Sequence, residues 1–110
     1  METTERLIKE YITADGKSHF RIWHDGLKDI KTRAKIDIKI ARLRLGNFGD
    51  SKSLGQGVYE LRIHFGPGYR IYYGLDGQMI VLLLCGGDKS TQKKDIKKAK
   101  TFWEEYKEET

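Results

Sequence analysis

Glu60, Arg62 and His64 alternate along one apolar stretch, and Arg70 and Tyr72 alternate along the next, with Gly66-Pro67-Gly68 between them. If the two stretches are strands joined by a three-residue loop, His64 falls opposite Arg70 and Arg62 opposite Tyr72. Glu60 then joins the same sheet face. Two arginines held side by side repel one another unless an anion joins them, and a phosphate would satisfy the group. The alternative is that Glu60 pairs with Arg62 or Arg70 as a surface ion pair.

Other chemistries have less to work with. Three histidines and one cysteine are too scattered for a zinc site, and the four carboxylates of residues 46–88 lack the spacing of a metal-binding cluster. A metal nuclease is therefore not expected, and no cofactor is implied. There is no Gly-x-Ser-x-Gly elbow and no phosphate loop ending in Gly-Lys-Ser/Thr, while Gly55-Gln56-Gly57 is too short a signal for nucleotide binding. His19 and His24 read as surface residues of a short helix. Cys85 ends an apolar strand with nothing cationic beside it in sequence, which suits packing rather than reactivity.

The elements that must position these residues can be traced along the chain. Residues 6–13 are rich in strand formers and lead to the turn signal Asp15-Gly16, giving an N-terminal strand. Phe20, Trp23 and Leu27 recur at helical spacing behind Ser18, a suitable N-cap, so a short helix is predicted from Ser18 to Gly26. From Asp29 to Leu45 the spacing predicts a second helix with two apolar faces. Ile30, Ala34, Ile38, Ala41 and Leu45 fill one, Ile36, Ile40 and Leu43 fill the other, and Lys31, Lys35, Lys39 and Arg42 run between them. Ile36, Ile40 and Leu43 exceed what one core needs, so they and the C-terminal helix are expected to meet a protein partner. Gly46 ends the helix.

A glycine-rich loop spans 46–57. Three strands follow, Val58 to Phe65, Tyr69 to Leu75 and Gln78 to Cys85, as an antiparallel meander. Asp76-Gly77 reads as a two-residue hairpin turn pairing Leu75 with Gln78. That register puts Val81 and Leu83 on the arginine face, and sends Tyr59, Leu61, Ile63, Ile71, Tyr73, Ile80, Leu82 and Leu84 to the core face. The last strand is apolar on both sides and so should be covered on both. Gly86-Gly87 breaks it, and a C-terminal helix runs from Thr91 through Ile96, Ala99, Phe102, Trp103 and Tyr106. The class is α+β: a small antiparallel sheet, an N-terminal strand plus a three-stranded meander, packed with two N-terminal helices and a C-terminal helix.

Size and charge set the bounds. The 110 residues are 38% hydrophobic, enough for one domain spanning 1–110 and too little for two. Charged residues make up 34%, but twelve aromatics are spread along the chain and no long like-charge block occurs, so it should fold. No apolar run is long enough to span a membrane, and the N-terminus is acidic rather than basic then apolar, so a soluble, unsecreted protein is expected. A lone cysteine suits a reducing cytoplasm. The net charge of +5 is uneven, because residues 28–45 hold seven Lys or Arg against two Asp. Such a stripe attracts a polyanion, most simply a nucleic acid; the alternative is a solubilising surface.

The run Leu-Arg-Leu-Gly-Asn-Phe-Gly-Asp at 43–50, Gly-Val-Tyr-Glu-Leu-Arg-Ile at 57–63, Gly-Pro-Gly-Tyr-Arg-Ile-Tyr-Tyr at 66–73, Leu-Leu-Cys-Gly-Gly-Asp-Lys-Ser-Thr-Gln at 83–92 and Lys94-Asp95-Ile96 resemble the RelE/ParE toxin superfamily. The likeness is to its addiction-module killer branch, close to HigB-type toxins, and covers nearly the whole chain, from about Tyr11 to Tyr106. It implies a RelE-like fold and a bacterial, cytoplasmic type II toxin. Such a toxin is held inactive by a cognate helix-turn-helix antitoxin and acts as an mRNA interferase, cleaving messenger RNA on the ribosome without a metal.

In that chemistry a ribose 2′-hydroxyl attacks the adjacent phosphodiester while basic residues stabilise the developing charge. The resemblance assigns catalysis to Arg62, Arg70 and Lys89; RNA binding is expected of Lys52, of His64 and Tyr72 on the arginine face, and of Lys93 and Lys94. Glu60 stands where RelE has a basic residue. Asp95 falls near the family's catalytic tyrosine or histidine, which leaves the general base as Asp95, His64 or neither; imidazole suits the role because it titrates near neutrality. The alternative function is a ParE-like poison of DNA gyrase with no nuclease activity.

Overall fold

A computed structural model describes residues 5–109; residues 1–4, part of the acidic N-terminal stretch considered above, lie outside it, as does residue 110. The elements are β1 (Leu7–Glu10), α1 (His19–Asp25), α2 (Ile30–Arg44), β2 (Ser51–Gly55), β3 (Val58–Ile63), β4 (Tyr69–Asp76), β5 (Ile80–Gly87) and α3 (Gln92–Glu109), with a single 3₁₀ turn at Lys89–Thr91 before α3. The strands form one sheet in the order β1-β5-β4-β3-β2. β2 to β5 are antiparallel neighbours, and β1 pairs in parallel with β5 along one edge, so the sheet is mixed. Both predicted helix starts are capped as their sequences suggest. Ser18 Oγ accepts from the Arg21 N–H at 3.0 Å, and an Asp29 oxygen accepts from the Lys31 N–H at 3.0 Å.

Helices cover both faces of the sheet, with α3 on one and α1 and α2 on the other. Beneath α3 lie Val58, Tyr72, Leu82, Leu84, Phe102 and Trp103, and beneath α1 and α2 lie Phe20, Ile36, Leu43, Leu61, Ile71 and Val81. This explains the unbroken apolar run of β5, which sits between β1 and β4 with both sides packed.

Several expectations need correction. The 46–57 segment is not all loop, since β2 forms within it and pairs with β3. Gly86 and Gly87 do not break β5; they extend it, Gly87 lying opposite Arg70. In the Gly-Pro-Gly connection the Phe65 N–H donates to the Ile63 carbonyl and the Gly68 N–H to that of Phe65. These turns close a longer loop, so Ile63 pairs with Tyr69 and Arg62 with Arg70, two residues away from the expected register. A slip of two preserves the face of every β3 residue.

The Asp76 hairpin slips by an odd number. Asp76 pairs with Ile80 around three loop residues, Gly77 adopting φ +62°. That parity sends Val81 and Leu83 to the α1/α2 face and brings Leu82 and Leu84 beneath α3, the reverse of the expected assignment.

The expected partner face of α2 is also reversed. Ile36 and Leu43 are fully buried in this chain, and Ile40 packs against the same core. The exposed apolar residues are Ile30, Ile38 and Leu45. His24 is no surface residue either. It is buried, with Nε2 2.7 Å from Asp37 and Nδ1 3.1 Å from Asp25, tying α1 to α2.

Candidate active site

Where β3 and β4 approach their connecting loop, the α3 face of the sheet stops being apolar and carries Glu60, Arg62 and Arg70. Glu60 has no solvent exposure. Its Oε1 accepts from Arg62 Nε at 3.0 Å, and its Oε2 accepts from the Tyr72 hydroxyl at 3.0 Å and from Gln92 Nε2 at 2.9 Å. Arg70 Nε lies 3.5 Å from Oε2 as an ion pair. The surface ion pair considered as an alternative is thus a buried one, shared by both arginines. Burial by itself raises the Glu60 carboxyl, but donation from Gln92, Arg62 and Tyr72 and the charge of Arg70 outweigh it and hold the group below its ordinary value of 4.5.

The carboxylate orients the guanidinium groups. Both present Nε to Glu60, Arg62 in a hydrogen bond and Arg70 at ion-pair distance without one. Arg70 Nη1 donates to the Gly68 carbonyl at 3.2 Å, whereas the Nη groups of Arg62 have no hydrogen-bond partner among the described residues. The two arginines border a cleft of about 410 Å³ lined by Arg62, His64, Phe65, Gly68, Arg70 and Lys89, among others. Lys89 arrives from the 3₁₀ turn after β5, and its aliphatic stem lies across Gly68. A Cβ added to that glycine, whose φ is +80°, would meet Lys89 Cε at 2.9 Å. The cleft therefore gathers three fixed positive charges and an imidazole.

His64 stands at the solvent edge, with Nε2 2.5 Å from an Asp50 carboxylate oxygen. That hydrogen bond, with smaller help from the charges of Arg62 and Arg70, holds Asp50 below its ordinary range. The remaining sequence candidates are dispersed. Tyr72 is fully buried and its phenol donates to Glu60, so it braces the arginines from beneath. Burial, then the charge of Glu60, pushes its pKa far above the phenol range, and it remains a donor.

Lys52 is exposed on β2 opposite Glu60, while Lys93 and Lys94 are exposed on the first turn of α3; none of the three lines the cleft. Asp95 is buried, accepts from Thr91 Oγ1 and does not line the cleft either. Cys85 is buried with its thiol pushed up to about 12 by burial.

Gln92 and Asp50 were missed from sequence. Gln92 is the first residue of α3, and only the turn after β5 brings it to a carboxylate thirty-two residues away. Asp50 precedes β2, the strand not recognised as one. Among the described residues no group of His, Cys, Asp and Glu is arranged to hold a metal ion.

Residues 29–107, which include every residue of this cleft, match the family described as phage-derived protein Gp49-like. The chain belongs to the Gp49-like family. This is a toxin-like family of phage and bacterial proteins related to RelE/ParE-type toxins, for which an antitoxin partner is the general expectation. The Gp49-like chain is also 52% identical over 86 residues to an uncharacterized protein of Haemophilus influenzae, covering 78% of this chain and 87% of the relative. Among the described residues no helix is long and apolar enough to cross a membrane.

Proposed function

We propose that this Gp49-like protein is the toxin of a type II toxin–antitoxin module, of the HigB-like branch. In this reading it acts in the bacterial cytoplasm as a ribosome-dependent mRNA endoribonuclease, held in check by a helix-turn-helix antitoxin. One observation carries the reading: Arg62 and Arg70 stand directly across from one another, both ion-paired through Nε to a buried carboxylate, and with Lys89 they line an open cleft. Donors fixed before the substrate arrives need no reorganisation when charge develops on a phosphoryl group.

In the reaction the 2′-oxygen of a ribose forms a bond to the adjacent phosphorus while the bond from phosphorus to the 5′-oxygen breaks. The products are a 2′,3′-cyclic phosphate and a 5′-hydroxyl. Arg62, Arg70 and Lys89 stabilise the charge on the non-bridging oxygens. His64, oriented by Asp50, receives the 2′-hydroxyl proton, and a proton returns to the departing 5′-oxygen.

Induction of the chain alone in a bacterial host, with primer extension on cellular messages, tests this. Expected are growth arrest and new 5′ ends within translated mRNA, both lost with Arg62→Ala. Intact mRNA with an induced DNA-damage response would refute the nuclease and favour a gyrase poison.

A further inference from the structure

A second depression, of about 360 Å³, adjoins the arginine cleft and shares Arg62, Ile63, His64 and Phe65 with it. Its far wall is α2, which contributes the cations Lys35, Lys39 and Arg42 and, among them, the exposed Ile38. The three cations fall at helical spacings of four and three, so they line one side of α2 over about 10 Å of rise. They are the last three of the four residues of the basic stripe. Phe65 is the aromatic residue common to both depressions. Its ring stacks against Tyr69 with centroids 6.4 Å apart, and Lys35 Nζ lies 4.8 Å from the Phe65 ring centroid. The carboxylate in this wall, Asp50, is occupied by His64.

We infer that this depression is a second RNA subsite, in which Lys35, Lys39 and Arg42 hold backbone phosphates of the single strand flanking the bond in the arginine cleft. The inference rests on the RNA-cleaving reading of that cleft and extends it. A strand leaving the cleft over Phe65 passes from Arg62 directly onto α2, so the cationic path is continuous. An aromatic residue flanked by cations is the combination that single-stranded nucleic acid favours, with the ring taking a base or ribose and the cations taking phosphates. Lys35 and Arg42 are exposed and Lys39 is half-exposed, so their charges are open to a ligand.

The test is binding of a fluorescent single-stranded RNA of about twenty nucleotides, with 2′-O-methyl riboses to prevent cleavage, to the wild type and to Lys35→Gln/Lys39→Gln/Arg42→Gln across a salt series. Each lost phosphate contact removes about 0.7 from the slope of log K against log salt. The triple variant should therefore lose about 2 units of slope and on the order of tenfold or more in affinity at low salt. A competing dinucleotide, which fills only the arginine cleft, should bind both proteins alike. Lys9→Gln/Lys17→Gln/Lys28→Gln, the same charge change at exposed positions lining neither depression, should keep the wild-type slope. Should the triple variant not fold, Lys35→Gln and Arg42→Gln singly should each remove about 0.7.

Cleavage of a reporter mRNA in a translation extract is followed in parallel. Cleavage by the wild type, together with an unchanged slope in the triple variant, overturns the second subsite, leaves the cleft reading intact and gives the α2 face to an acidic protein segment instead. Cleavage without any binding of the long RNA by the wild type also overturns the subsite. Neither cleavage nor RNA binding by the wild type overturns both.

Discussion

Replacing Glu60 with glutamine separates the support of the arginines from their chemistry. The substitution keeps the shape and removes the charge against which two guanidinium groups are held. Breaking a buried ion pair from one side costs about 3–5 kcal/mol. The lower figure applies here, because the Arg62 side chain is 33% exposed and water can take over part of its solvation, whereas that of Arg70 is 10% exposed and has little access to it. A loss of about 3 kcal/mol lowers the melting temperature by about 12 °C at roughly 4 °C per kcal/mol for a domain of this size.

The pH dependence follows from linkage. The folded-state pKa of Glu60 lies below its ordinary value of 4.5, so the carboxylate's contribution is fully present above that pH and is lost as pH falls through the folded value. Urea denaturation of the wild type and Glu60→Gln should thus show a gap that is widest near neutrality and closes in acid below about pH 4.5. In cleavage assays the same variant should lose on the order of 10²-fold in kcat, because the donors are misplaced. Its affinity for RNA should be kept or improved, because one negative charge beside the cleft is gone. Equal stability near neutrality, or a gap that persists unchanged into acid, would refute the buried-anchor reasoning. Loss of affinity with kcat intact would refute the positioning role.

Arg62→Ala and Arg70→Ala should each slow single-turnover cleavage by on the order of 10²-fold or more and abolish growth arrest, with Lys89→Ala milder at about tenfold. Arg70→Ala should also lower the urea midpoint, since Arg70 is buried and its loss leaves Glu60 with one countercharge fewer; two soluble, folded and fully active arginine variants would end the nuclease assignment. Tyr72→Phe removes one donor to Glu60, costing about 1 kcal/mol, and should raise the folded-state pKa of that carboxylate, so acid unfolding begins at a higher pH in circular dichroism titrations. Ile36→Ala should cost about 2–5 kcal/mol in denaturant melts and Ile38→Ala less than about 0.5 kcal/mol, and equal costs would contradict the burial of one α2 face and the exposure of the other.

The fold was legible wherever periodicity was long and the turn chemistry unambiguous. Ser18, Asp29 and Gly46 mark helix boundaries through local hydrogen bonding and backbone preference, which depend on near neighbours alone, and the structure places them as the sequence suggests. β2 escaped because Ser51-Lys-Ser-Leu-Gly has only one strong apolar residue, and its strand character comes from pairing with β3 rather than from propensity. Asp76-Gly77 misled for a related reason. The dipeptide favours a two-residue turn, but a three-residue loop also uses a glycine with positive φ, and only packing under α3 selects Leu82 and Leu84 over Val81 and Leu83.

The site was legible as a face and illegible as a circuit. Alternation along β3 and β4 placed Glu60, Arg62, Arg70 and Tyr72 together despite the register error at the loop, because a slip of two residues returns every side chain to the same side. What alternation cannot convey is depth. Tyr72 and Glu60 share the face of Arg62, yet α3 and Gln92 cover them and leave Arg62 at the margin of the cleft. That gradient gives each residue its part. The covered end supplies a charge that is expensive to bury, and it is tolerated there only because donors saturate it. The open end receives two guanidinium groups ion-paired to that carboxylate through Nε, and both arginines line the space a phosphate would enter. A carboxylate beside a phosphate-binding cleft would weaken binding if it were exposed; buried beneath the arginines, it offsets their mutual repulsion while keeping them side by side before any substrate is present.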